Sequence, residues 1–414
     1  MNAFQTIVLG VFGFFIIAGL IVVSMVKGGG STTAVPISIW GSAPSASLEP
    51  LLTELFNPKT LAVSYRQFPT AELDTRVIEA LASGNGPDLV ILPADLVERY
   101  ADKIIPIPYT TYTERQFKDT FVQEGDLFLS PNGIFALPFS LDPLVMFWNR
   151  DLLDEAGVAT APKFWDEFLL LANRLSRRDT NGSLSRSAVG LGEYANISSA
   201  KEILGALLIQ ADAGASSGVS TLSSLLGGTG ATSVINFYTE FANPQKPVYS
   251  WNRSLQNSRQ AFLAARLGVY FGFASEYADL KRTNPNLNFD IAAFPRPRNS
   301  TVALTFGRLS GLAVLRASPN PSSALEVALT LTGSGPLLTF SQSSGLPPVR
   351  RDLLSEKQTD AYRAVVYDAA AKSRGFLEAD PVASSALLQD MIESVTSGRD
   401  RAESAVSRAQ NQIR

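Results

Sequence analysis

The chain has 414 residues, 45% hydrophobic and 18% charged, and carries a net charge of −3. Without a basic run, that balance excludes a nucleic-acid-binding face. It also has no cysteine and no histidine, which rules out disulfides, iron–sulfur clusters, thiolate or imidazole zinc sites and Ser-His-Asp catalysis, so no cofactor or metal is expected.

The first element is an uncharged run from Phe4 to Val26. As a helix of about 23 residues it reaches ~35 Å, enough to cross a ~30 Å hydrocarbon layer. A cleaved signal peptide fits less well. Met1-Asn2-Ala3 lacks a cation, the apolar run is too long, and Thr32-Thr33-Ala34 is a weak cleavage site. The reading is a retained transmembrane anchor over residues 1–27 and a flexible linker over 28–35, built on Gly28-Gly29-Gly30-Ser31. Lys27 lies on the globular side and gives a slight cytoplasmic bias, which a large translocated domain overrides.

The remaining residues are too many for one core, so two lobes are expected. Val35 to Trp40 alternates as a strand ending in an aromatic. Leu48, Leu51, Leu52, Leu55 and Phe56 share one helical face. Ala62 to Arg66 reads as a second strand, and a helix runs from Thr70 through Leu81 to Gly84. Asp88 to Leu92 has the composition of a buried strand. This alternation predicts a parallel sheet covered on both faces.

After Gly133, Ile134 to Asn149 reads as an apolar strand pair interrupted by a polar, proline-flanked middle. Trp165, Phe168, Leu169, Ala172 and Leu175 form the next helical face, with Pro162 near its start. Residues 203–241 are helical with a Gly/Ser/Thr-rich break, and strands are expected at Leu267 to Phe273 and Ser310 to Leu315. The last hundred residues are mostly helical, with Leu387, Leu388, Met391, Ile392 and Val395 on one face. Gly214-Ala215-Ser216-Ser217-Gly218 matches a nucleophile-elbow pattern but has no histidine to serve it. Asp179-Thr180-Asn181-Gly182 reads as a turn, since its glycine comes too early for a calcium loop.

Several segments, in this order, resemble the extracellular solute-binding proteins of the maltose-binding type, which serve ABC importers for sugars. They are Gly86-Pro87-Asp88-Leu89-Val90, Ala136-Leu137-Pro138 with Trp148-Asn149, and Asp151 to Val158 followed by Ala161 to Phe168. Asp179 to Gly182, Ala317 to Pro321 and Gly345-Leu346-Pro347-Pro348 complete the set, which spans nearly all of residues 36–350. Two departures stand out. Phe262 to Val269 lacks the usual Gly-Lys, and Ser275, with Tyr277 beyond it, stands where the family carries an aromatic.

The resemblance implies a non-enzymatic α/β protein with the two-lobe periplasmic-binding-protein fold and a hinge of about three chain crossings. They are placed near Phe139–Pro143, Gly272–Ser275 and Ser310–Leu312. One lobe is then assigned residues 36–140 and 274–311, the other 141–273 and 312–414. The implied partners are a carbohydrate ligand held in the cleft and the transmembrane subunits of an ABC permease. The body is expected outside the cell membrane as a monomer, tethered by its N-terminal helix.

A sugar site needs aromatic platforms and paired hydrogen-bonding groups, and in such folds ligands lie beyond the carboxyl ends of strands. Strand ends and crossings nominate Trp40, Tyr65, Arg66, Asp142, Glu193 and Tyr194. Trp251 joins them as an aromatic in a polar stretch, with Ser275, Tyr277 and Arg308 near the crossings. Trp148 and Trp165 read as core. The same fold with a peptide, polyamine or anion ligand, or as a sensor subunit, is the alternative; carboxylates with few aromatics would point to a cationic ligand. A glycosidase using Asp142 and Glu193 would need a defined carboxyl pair, for which no signature is present.

Overall fold

Alternating apolar residues pair Val35–Gly41 (β1) with Leu61–Gln67 (β2) in parallel, and Leu89–Pro93 (β3) joins β1 on its other edge, also parallel. The connecting helices Ser45–Leu55 and Thr70–Ala82 bury Leu48, Leu51, Leu52, Leu73 and Val77. The computed structural model describes residues 34–212 and 219–413. The expected anchor and the Gly214 to Gly218 motif therefore lie outside the described residues, among which no helix is long and apolar enough to cross a membrane.

A small hairpin, Leu129–Ser130 (β4) and Gly133–Ile134 (β5), leads into Leu137–Asn149 (β6). β6 is one continuous strand of 13 residues, not the expected interrupted pair. Two prolines are tolerated because the strand changes neighbours along its length. Its first half pairs with Thr305–Val314 (β11), where Pro138 and Pro143 face Gly311 and Gly307 across a register shift. Its second half pairs with Leu267–Phe273 (β9) and Phe289–Ala292 (β10). Arg177–Arg178 (β7) and Leu184–Val189 (β8) extend the sheet beyond β9, and Ser373–Arg374 (β12) runs parallel to the start of β11. The order is β2-β1-β3-β11-β6-β9-β8-β7.

One sheet path thus serves two cores. The first gathers Ile37 to Leu141 and Leu309 to Leu353. The second gathers Leu144 to Phe294 together with Val366, Phe376, Leu388, Met391 and Ala405. The fold is the expected two-lobe α/β architecture, but the segments are shared out differently. Ala274, Leu280, Phe289 and Phe294 belong to the second core, whereas Leu312 to Leu353 belong to the first. Gly272 to Ser275 is therefore not a crossing, since β9 pairs within the second lobe and Ala274 follows it into the same core. The chain passes between lobes at residues 141–144 in β6, at 304–309 in β11, and along the helix Ala361–Lys372 before β12, which gives Val366 and Ala369 to the second core and Ala370 to the first.

The crossings are packed from the first lobe by Glu124, in the short helix Gln123–Phe128. A Cβ at Gly307 would overlap its Oε2, and one at Gly375 would come to 2.8 Å from Leu127 Cδ1 and 3.1 Å from Oε1, so a larger residue at either position would push these side chains aside. Glu124 is 2% exposed and neither oxygen has a hydrogen-bond partner. The neighbouring Ser373 hydroxyl donates instead to the Ala370 carbonyl, at 2.9 Å. Burial pushes the Glu124 carboxyl up to about 7, against the pull of Arg374.

Candidate functional site

The lobes meet over a group of charged side chains. β3 ends at Pro93, and the turn after it delivers Asp95 from the first lobe. Across the gap the helix Ala200–Asp212 opens with Lys201 and Glu202, and Glu378 precedes the helix Pro381–Thr396. Arg308 rises from β11 between them; its guanidinium donates to Glu202 Oε1 at 2.7 Å and lies 3.6 Å from the Phe273 ring centre. Lys201 Nζ bonds Glu378 Oε1, leaving Glu378 Oε2 buried and without a partner. Burial raises the Asp95 carboxyl above its usual range, opposed first by Lys201, then by its own backbone N–H and last by Arg308, while Glu202 raises it further. Glu378 is raised for the same reason, with Lys201 as its main counterweight.

A cavity of about 710 Å³ meets this group at Glu378 and is lined by Glu98 of the first lobe and by Asp380, Ser384 and Leu387 of the second. A second pocket, about 480 Å³, lies beside Glu124, Arg374 and Gly375. The pairing of residues 220–222 with Leu377, through Leu222 N to Leu377 O and Leu377 N to Ser220 O, walls it off from the first.

The nominated residues fall into three groups. Asp142, Ser275, Tyr277 and Arg308 are brought together at the β6–β11 crossing. Asp142 faces Arg308 across the strands, and its Oδ1 accepts from the Ser275 N–H at 3.0 Å. Burial lifts the Asp142 carboxyl to about 6, against the Ser275 hydrogen bonds and Arg308. Tyr277 packs against Tyr362 at a tilt of 34°, 4.4 Å between ring centres, and the Tyr362 hydroxyl donates to the Ala274 carbonyl at 2.9 Å. Tyr194 also reaches the charged group: its hydroxyl sits 2.8 Å from Ser385 Oγ, and burial pushes it up to about 12, with Glu202 and Glu378 adding to the rise.

Trp40, Tyr65 and Arg66 form a second group on the first lobe. The Arg66 guanidinium covers Trp40 and Phe68, at 5.4 and 4.9 Å from the ring centres, and the Tyr65 hydroxyl donates to the Ala43 carbonyl at 2.7 Å. Two residues lie elsewhere. Trp251 is 1% exposed in the second core, with its indole N–H donating to Asn196 Oδ1 at 3.1 Å. Its polar neighbour Asn196 satisfies the ring within that burial, and the ring also borders a small pocket of about 190 Å³ with Ser254, Gln256 and Arg266. Glu193 is held at 3.3 Å by Arg253 on the second lobe, as a structural ion pair. Trp148 and Trp165 are core, each 7% exposed.

Asp95, Lys201, Glu202 and Glu378 were not nominated from the sequence. Asp95 follows the buried strand Asp88 to Leu92, so the strand-end rule that selected Trp40 applies to it equally. Lys201, Glu202 and Glu378 carry no local signal; two helix starts from distant parts of the chain bring them together.

Residues 41–334 match the family model described as bacterial extracellular solute-binding protein. A Brucella abortus (strain 2308) protein whose name specifies only binding is 23% identical over 321 residues, covering 73% of this chain and 71% of that one. The structure is similar to that of a cyclo/maltodextrin-binding protein complexed with maltotetraose, with a TM-score of 0.72 at 16% identity over 93% of this chain and 97% of the other. It is also similar to the sugar-binding protein MalE of Xanthomonas citri, with a TM-score of 0.70 at 18% identity over 92% and 96% of the two chains. At these identities the structural likeness speaks for the fold.

Proposed function

Since the chain belongs to the bacterial extracellular solute-binding protein family, we propose that it captures a carbohydrate between its lobes and presents it to the transmembrane subunits of an ABC importer. The observation that carries this reading is the polar site assembled from both lobes around the crossing strands. Asp95 comes from one side, Tyr194, Lys201, Glu202 and Glu378 from the other, and Arg308 from the hinge. Carboxylates and guanidinium groups so arranged can hold sugar hydroxyls in pairs. Structural neighbours that bind maltotetraose or are named as sugar-binding support the same ligand class. Closure of the lobes about β6, β11 and the segment before β12 would bring Asp95 toward Lys201 and Glu378 as the ligand is enclosed. The role is binding and delivery without catalysis.

In this reading the Phe4–Val26 run anchors a monomeric body outside the cell membrane, and mass spectrometry of the native protein recovers an N-terminus at or near Met1; a chain starting near Val35 would refute the anchor. A thermal-shift screen of the full chain against a carbohydrate panel tests the ligand class. A sugar at 100 times its dissociation constant adds ~2.7 kcal/mol of stability, and a panel without any shift would count against it.

A further inference from the structure

Resting on the carbohydrate reading, we propose that the cleft selects a ligand bearing an ammonium group, an amino sugar rather than a neutral one. The first observation is the state of the aromatic rings. A neutral sugar is recognised largely through its apolar face on an open ring; here Tyr194 is 8% exposed, and three further rings each have one face covered. Arg308 lies over Phe273, Arg66 over Trp40, and Tyr362 against Tyr277. Trp251 is buried in the second core.

The second observation is the charge around the opening. Asp95 and Glu98 come from the first lobe, and Glu202, Glu378 and Asp380 from the second. The cations there are already engaged: Arg308 with Glu202 at 2.7 Å, Lys201 with Glu378, and Arg99 with Asp74 at 3.3 Å. No side chain among the described residues donates a hydrogen bond to the Asp95 carboxylate. Glu378 is 5% exposed, lines the 710 Å³ cavity, and keeps its Oε2 without a partner. Two under-satisfied acceptors, one per lobe, thus lie within repulsive reach of each other across the gap, with Glu378 on the cavity wall. An ammonium, with three donors and a positive charge, answers both at once. A hydroxyl brings one donor and leaves the acid excess standing. Such a ligand would also lower the repulsion between Asp95 and Glu378 that opposes lobe closure.

The test is titration calorimetry on the full chain with a glucosamine disaccharide, its N-acetylated counterpart and 1,4-diaminobutane, at low and moderate salt. The aminated disaccharide is expected to bind about tenfold or more tightly than the acetylated one, in line with a charge-assisted hydrogen bond, and to weaken with salt. Asp95→Asn should bring the two within about threefold while the melting temperature holds. Should that variant fold poorly, Glu98→Gln, at an exposed position, should reduce the preference by a smaller factor. Equal or tighter binding of the acetylated sugar overturns the inference and leaves the carbohydrate reading intact. Binding of the diamine with neither sugar bound keeps the cation preference and removes the carbohydrate reading. Failure of both cationic probes to bind overturns the inference.

Discussion

Replacing Glu124 with glutamine keeps the shape of the side chain and removes its charge at the point where the lobes join. In the folded protein this carboxyl has no hydrogen-bond partner, packs beside Gly307 and Gly375, and is lifted from 4.5 to about 7. The unfolded chain releases the proton near 4.5, while the folded chain holds it to about 7. Between those values the folded state binds more protons, so stability falls as pH rises. A shift of this size costs ~3 kcal/mol, fully expressed by about pH 8 and absent below about pH 4. Urea unfolding followed by tryptophan fluorescence, at pH 4.5, 6 and 8, should show the wild type losing ground to Glu124→Gln by about that amount across the series. Other buried carboxyls, Asp142 among them, titrate in both proteins and cancel in the difference. Parallel pH profiles for the two proteins would refute the argument and mean that water or a cation reaches Glu124 in the folded state.

Trp251→Ala should cost ~3–5 kcal/mol by opening a cavity in the second core, with ligand affinity retained in the protein that remains folded; calorimetry below the melting transition separates the two effects. Lys201→Ala leaves Glu378 buried without its cation and should destabilise by ~3–5 kcal/mol, whereas Lys201→Ala with Glu378→Gln should recover part of the loss in thermal melts. Asp142→Ala strips the acceptor from the Ser275 N–H and should cost ~1–3 kcal/mol in denaturant unfolding, with Asp142→Asn milder. Small-angle scattering with and without a bound ligand should show a smaller radius for the bound form; identical profiles at saturation would exclude hinge closure.

The local elements were legible because their causes are local. The 3.6-residue spacing of Leu48, Leu51 and Leu52 and the apolar run Leu89 to Leu92 specify a helix and a buried strand wherever they are placed, and both are observed. Asp179 to Gly182 also forms its turn, with Asp179 Oδ1 accepting from Asn181 N and Gly182 at φ 80°. Long-range pairing decided the rest. Whether Ala274 to Phe294 joins the first or the second lobe depends on β10 pairing with the second half of β6, a contact between residues about 140 apart in the chain. Trp251 looked exposed because its sequence neighbours are polar, yet Asn196, far from it in the chain, satisfies its indole N–H inside the core. Asp95, Lys201 and Glu378 become one electrostatic unit only when two lobes and a crossing strand set them face to face. A sequence specifies which side chains carry charge; their distances, and with them the character of the site, arise from the tertiary fold.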